Sequence, residues 1–246
     1  IVSLLAAAIL LIGCAKENPI LTIEGGQVQG VEAEIDGVYV YRGIPYAAPP
    51  IKDLRWKAPQ PVIPWEGVLI ADKFGHPGYQ AVHYPGGYTT EWGYGEESPY
   101  SEDCLYLNVW TKYPGQTDKK LPVALWIHGG GYREGWGSEP EFDAQEWAAK
   151  DVVLVSINYR LGVFGFLTHP ELSAESPNGV SGNYGILDQI ESLKWIKKNI
   201  AQFGGDAGIL DFLDGSKSIA NHLCILTSND TTDLSEALLR PSRIDL

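Results

Sequence analysis

Leu121-Pro122-Val123-Ala124-Leu125-Trp126-Ile127-His128-Gly129-Gly130-Gly131-Tyr132 is the stretch on which the reading of this chain turns. Val123 to Ile127 is a short, continuous apolar run, the pattern of a strand buried on both faces. A second such run, Val152 to Ile157, follows after a segment of helical composition, Phe142 to Lys150, with Asp143 as its candidate cap. Strand, glycine turn, helix and strand form an α/β unit. The three consecutive glycines are entropically costly to order, so they mark a place where only bare backbone fits. One such place is a set of amide N–H groups converging on a small anionic oxygen.

Working outward, Leu21 to Tyr41 alternates loosely, with Gly25-Gly26 and Asp36-Gly37 as turns, and predicts small antiparallel hairpins. The proline-rich run from Arg42 to Pro50 predicts an extended, pinned surface loop, because proline at this density excludes a long helix or central strand. Residues 60 to 100 are rich in Gly, Pro and Tyr. They either overhang an apolar cleft or staple a long loop to the domain. Asp103 to Trp110 alternates as a half-buried strand, and residues 170 to 182 read as polar loop. Gly162 and Gly165, beyond the second apolar run, are close-approach positions. Asn183 to Ile200 predicts a helix with Ile186, Ile190, Leu193, Ile196 and Ile200 on its inner face.

The chain has 246 residues, 44% hydrophobic and 20% charged, which indicates a folded globular protein. A formal net charge of −13 argues against nucleic acid as a partner, since no basic excess is present to neutralise phosphates. There is no Met, and with Ile at position 1 residue 1 is not expected to start translation. Residues 1–13 look like the apolar part of an export signal. Leu11-Ile12-Gly13-Cys14 resembles a bacterial lipoprotein signal, which implies lipid attachment at Cys14 and a place in the cell envelope, lipid-anchored, periplasmic or extracellular. A signal cut elsewhere is the alternative. The other cysteines, Cys104 and Cys224, have no zinc-like spacing, and no metal or cofactor is expected.

Five runs carry a family resemblance: Gly43 to Pro50, Glu102 to Trp110, Val123 to Tyr132, Ile157 to Leu167 and Gly182 to Asp206. In this order they resemble the N-terminal part of the type-B carboxylesterases, the α/β-hydrolases that include cholinesterases and bacterial p-nitrobenzyl-type esterases. The resemblance covers residues 21–206. It implies an incomplete α/β-hydrolase fold, a mixed central sheet with flanking helices, and a serine hydrolase acting on small-molecule carboxylic esters. It also implies that Gly130 and Gly131 supply oxyanion-hole amides, with His128 organising their loop rather than acting as acid or base. Glu102 and Asp103 are expected to be structural, bridged to an arginine such as Arg55 or Arg160. Family members often carry a cysteine near Gly78 that can bridge to the Cys104 position, so here Cys104 is expected to be unpaired.

The departures begin at Asp206. The family's Gly-Glu-Ser-Ala-Gly nucleophile elbow is not found; Asp214-Gly215-Ser216-Lys217-Ser218 stands at that spacing, which makes Ser216 the nucleophile by spacing alone. Both flanking glycines are replaced, Lys217 replaces the small residue whose amide would be the third donor, and His222 lies too near Ser216 to be the family's histidine. The expected organisation is a signal over 1–13, a partial hydrolase domain over 14–206 and a foreign tail over 207–246, inactive as given. The tail resembles a fragment of an AAA-type ATPase. That resemblance makes His222 to Asp230 a strand ending in a polar sensor at Asn229, and makes Arg240 and Arg243 candidate arginine fingers. No phosphate-cradling Gly-x-x-x-x-Gly-Lys run accompanies it. A non-catalytic binding protein of the same fold is a further alternative.

Overall fold

The computed structural model describes residues 18–81, 99–139, 142–207 and the strand 223–227. Two hairpins open it. β1 (Ile20–Ile23) pairs antiparallel with β2 (Gly26–Gln29), and β3 (Val31–Glu32) with β4 (Tyr39–Pro45). Gly25 and Gly37 turn them with φ of +96° and +74°, in the left-handed region that glycine enters without cost. β5 (Val68–Ile70) adds in parallel to β2 and completes a three-stranded sheet.

The principal sheet has six strands in the order β3-β4-β6-β8-β7-β9, with β6 at Tyr106–Thr111, β7 at Val123–Ile127, β8 at Val153–Ile157 and β9 at Leu223–Thr227. Its first half is antiparallel, through β3, β4, β6 and β8; β8, β7 and β9 run parallel. Every residue of β7 and β8 is buried. Alternation divides them between two cores. Val123, Leu125 and Ile127 face Trp195, Ile196 and Phe203, whereas Ala124 and Trp126 join Trp110, Ala144 and Ala148. Each fully buried Val, Leu or Ile in such a layer contributes about 1.5–3 kcal/mol. A one-residue slip would exchange the two sets, so the register is strongly specified.

Among the described residues four helices flank the sheet: α1 (Gln145–Ala149), α2 (Gly162–Phe166), α3 (Pro170–Glu175) and α4 (Tyr184–Asn199). The cap position of α1 falls on Ala144, not on the expected Asp143, which from one residue earlier accepts from the Gln145 amide at 3.2 Å. A 3-10 turn, Ile200–Phe203, ends α4 and closes on Gly204 at φ +81°.

Several expectations are corrected. The proline run is not a surface loop: β4 continues to Pro45, and Ile44, Tyr46, Ala47 and Ala48 are buried. Proline is tolerated because β3 pairs only with Tyr39 and Val40 and the bridge from Arg42 to Asp72 ends before it, leaving Ile44 and Pro45 paired with β6 alone. Residues 170–175 are helical, with Pro170 at the first turn and the His169 ring accepting from the Glu171 amide. On α4 the buried face carries Tyr184, Asp188, Ser192, Trp195, Ile196 and Asn199, while Ile190 is 43% exposed. The helix is rotated from its aliphatic stripe because Asp188 must face a buried arginine. Gly165 is a close-approach position, where a Cβ would lie 2.2 Å from the Arg160 carbonyl oxygen. Gly162 is not one; it has open space and is required by its φ of +50°.

β9 lies beyond the boundary expected at residue 206, yet it extends the sheet, with Val123 opposite Leu223 and Ile127 opposite Thr227. Among the described residues no helix is long and apolar enough to cross a membrane.

Candidate functional site

The glycine loop leaves the carboxyl end of β7, the end of parallel strands at which α/β sheets collect their ligand sites. Gly130, Gly131 and Tyr132 have φ of +94°, +59° and +62°. The Arg133 amide donates to the Gly130 carbonyl at 3.0 Å, closing a four-residue turn whose two central residues are left-handed. Gly130 is compulsory, since a Cβ there would lie 2.1 Å from the Glu134 carbonyl oxygen. Gly131 has open space, so only its backbone angle asks for glycine. Tyr132 holds a left-handed angle with a full side chain, at a cost of roughly 1–2 kcal/mol. Two contacts offset this: the Gly162 amide donates to the Tyr132 carbonyl at 2.7 Å, and the Tyr132 ring meets Phe166 at 4.8 Å.

This turn engages the Gly130 carbonyl and leaves the amides of Gly130 and Gly131 without a hydrogen-bond acceptor among the described residues. Both residues line an open cleft of about 720 Å³, with Tyr79, Gln80, Val163 and Phe164 on its walls and Arg133 and Glu134 beside the turn. Two unspent backbone donors at the edge of a cleft can stabilise negative charge developing on a carbonyl oxygen.

His128 does not line the cleft. It is 2% exposed and stacks on Tyr159 with ring centroids 4.4 Å apart. Its Nδ1–H donates to the Gly129 carbonyl at 3.0 Å, and the Tyr159 hydroxyl donates to the His128 carbonyl at 3.0 Å. Nε2 is then the unprotonated nitrogen, buried with no partner among the described residues. Burial lowers its pKa to about 4, against a small upward pull from the Gly129 carbonyl. A neutral, enclosed ring of this kind fixes the loop's path.

Two side chains outside the loop hold its far end. Gln80 accepts from the Gly135 amide at 2.8 Å through Oε1 and donates to the Gly135 carbonyl at 3.1 Å through Nε2. Asn158 accepts from the Gly137 amide at 2.7 Å, donates to the His76 carbonyl at 3.0 Å, and takes the Tyr46 hydroxyl on its own carbonyl at 2.6 Å. Gly135 and Gly137 leave room for these contacts: a Cβ at 135 would meet His128 Nδ1 at 2.4 Å, and one at 137 the Ile157 carbonyl at 2.7 Å.

Behind the cleft wall lies a buried ion pair. Arg160 donates from Nε and Nη2 to the two Asp188 oxygens at 2.8 and 2.7 Å, from its amide to Asp188 at 3.1 Å, and from Nη1 to the Lys57 carbonyl at 2.9 Å. Burial pushes the Asp188 carboxyl up, against the opposing pull of the guanidinium. Arg55 makes the bridge expected of Glu102, through both carboxylate oxygens. Cys104 is free and buried, and burial pushes its thiol far up, which leaves it unreactive.

Of the residues singled out from sequence, the structure brings together Gly130, Gly131 and His128. Cys14, Ser216, His222, Asn229, Arg240 and Arg243 lie outside the described residues. Sequence reasoning missed Gln80, Asn158 and Asp188. Only Asp188 left a signal, a carboxylate on the helix face that also carries Trp195 and Ile196.

The sequence profile of the Carboxylesterase family matches residues 17–211. The fumonisin B1 esterase of Sphingopyxis macrogoltabida is 43% identical over 206 residues, covering 82% of this chain and 36% of that protein. The para-nitrobenzyl esterase of Bacillus subtilis is 43% identical over 190 residues, covering 77% and 36%. Among solved structures, a PNB esterase superposes with a TM-score of 0.66 at 42% identity, over 77% of this chain and 36% of its own. A Geobacillus stearothermophilus carboxylesterase gives 0.64 at 41%, over 76% and 36%. The chain therefore spans a little over a third of the length of these relatives. None of these comparisons supports an ATPase origin for residues 209–246. With the family profile matched across most of its length and a mixed sheet flanked by helices that superposes on solved esterases, this chain belongs to the carboxylesterase family.

Proposed function

We propose that the chain is the oxyanion-hole-bearing part of a serine-type carboxylic ester hydrolase. The observation that carries this reading is the pair of unpartnered amides at Gly130 and Gly131, held on a left-handed turn at the edge of the cleft. An ester carbonyl seated there would gain charge as a serine hydroxyl attacks. The amides would stabilise that charge, collapse of the intermediate would expel the alcohol and leave an acyl-serine, and activated water would release the acid. Loss of one such donor costs about 3–4 kcal/mol in a comparable hydrolase.

Ser216 is the candidate nucleophile on spacing, without the glycines of an elbow. The substrate is a small carboxylic ester with an apolar part against Tyr79, Val163 and Phe164. Export with lipid attachment at Cys14 would place the protein in a bacterial envelope. Fluorophosphonate treatment followed by peptide mapping tests the reading: covalent modification of one serine, suppressed by a slowly hydrolysed ester, would show a working nucleophile in this chain despite the missing elbow. Absence of label together with absence of p-nitrophenyl ester turnover would refute a hydrolase in this chain and favour a binding protein of the same fold.

A further inference from the structure

We propose that the outer face of the three-stranded sheet β1-β2-β5 docks on a lipid bilayer, brought there by lipid attached at Cys14. The proposal rests on that attachment and is independent of what the cleft hydrolyses. Successive residues of a strand point to opposite faces. Leu21, Ile23 and Val28 enter the core, and the other face carries Ile20 and Thr22 of β1, Gln27 and Gln29 of β2, and Val68 and Ile70 of β5. None of these six is charged, in a chain of net charge −13. Ile20 stands opposite Gln29 and Gln29 opposite Ile70, so two isoleucines, 50% and 52% exposed, flank one glutamine in a single row. The acidic residues nearest the face stand beyond the strand ends: Glu24, which Lys198 bridges, and Glu66 and Asp72 on either side of β5.

The chain reaches this face directly from Cys14. Gln29 donates from Nε2 to the Asn18 carbonyl at 2.8 Å, and the Tyr41 hydroxyl donates to the Pro19 carbonyl at 3.2 Å, so the backbone is pinned beside the central residue of the row. Cys14 lies four residues before Asn18, a reach of at most about 14 Å. Anionic headgroups repel an acidic protein, and an uncharged row is the part of its surface that escapes this repulsion. Membrane binding grows with the apolar area buried, so the two isoleucines add to the hold of the acyl chains. Docking here leaves the cleft uncovered. The Glu24 amide at the end of β1 donates to Asn199 Oδ1 at 2.8 Å, at the carboxyl end of α4. The cleft-lining helix α2 packs at the amino end, where a Cβ on Gly185 would lie 2.6 Å from the Phe166 ring. The length of α4 puts about 24 Å between the two.

The test uses the full chain, expressed for export in a bacterium, isotopically labelled at the isoleucine methyls and placed in nanodiscs of phosphatidylethanolamine and phosphatidylglycerol, with and without a nitroxide-bearing lipid. Intact mass first reads whether Cys14 carries lipid. In the nitroxide discs the Ile20 and Ile70 methyl signals are expected to broaden at least about twofold more than those of Ile51 and Ile190, which are exposed on other elements. Ile70→Asp, a change at an exposed position, should relieve the broadening at Ile20, and Ile51→Asp should leave it in place. A chain without lipid at Cys14 overturns the anchor and the docking face together. A lipidated chain in which Ile20 and Ile70 broaden no more than Ile51 and Ile190 overturns the face alone, and signals that instead shift with protein concentration would assign it to a second copy of the chain.

Discussion

Acidification is expected to unfold this protein in part through a single ring, His128. Burial lowers the pKa of His128 from 6.5 to about 4, and the faces packed on it are the Tyr159 ring and the backbone of Gly129 and Gly135. The unfolded chain binds a proton near pH 6.5 that the folded chain refuses until about pH 4. The stabilising contribution is therefore complete above the unfolded value and is lost as pH falls through the window between the two. At about 1.4 kcal/mol per pKa unit, moving from about pH 7.5 to about pH 5 removes roughly 2 kcal/mol through this residue. His128→Phe keeps a ring against Tyr159 and removes the proton. It gives up the hydrogen bond to Gly129, a cost of about 1 kcal/mol that does not depend on pH. Urea unfolding followed by tryptophan fluorescence, at both pH values and for both proteins, isolates the difference from the carboxylates they share. The variant should lose roughly 2 kcal/mol less than the parent over the interval. Parallel pH dependences would show that His128 titrates normally and that the loop is not built around a neutral ring.

Four further substitutions probe the support of the site. Asp188→Asn leaves the Arg160 guanidinium buried without a counter-charge and should lower stability by about 3–5 kcal/mol in urea unfolding. Gly135→Ala drives a methyl to within 2.4 Å of His128 Nδ1 at a φ of +104°, and Gly131→Ala adds one into open space at +59°. The first should cost more than 2 kcal/mol and the second about 1 kcal/mol, a ranking that thermal denaturation reads directly. Gly78→Cys would put its Cβ 3.6 Å from the Cys104 sulfur, so a disulfide should form on mild oxidation, visible as thiol loss by mass spectrometry and a raised melting temperature.

What could be read from the sequence was whatever a local pattern decides. Val123 to Ile127 and Val152 to Ile157, apolar on both faces but for Ser156, read as central strands; they match β7 and β8 within one residue. The glycine run marked its turn for the same reason, because Gly130 cannot be replaced without collision with Glu134. The inner face of α4 was misread because the helix is oriented by the charge on Asp188, which overrides the preference of Ile190. A stripe count registers hydrophobicity and is blind to a partner 28 residues away. Proline density likewise overstated disruption in β4, where Pro45 pairs with β6 alone. Gln80 and Asn158 were illegible, since each contacts the loop across a separation of 55 or 21 residues and no local feature foretells it.

The central claim is that the Gly130 and Gly131 amides receive the negative oxygen of a tetrahedral species. The most direct measurement is an amide-resolved NMR titration of the 15N-labelled chain with diethyl phosphate, a tetrahedral monoanion, repeated in Arg133→Gln to remove the neighbouring charge. Saturable downfield shifts of both glycine amides, retained in the variant and absent from amides in β7, are the expected result. Unmoved glycine amides in both proteins would contradict the oxyanion-hole assignment.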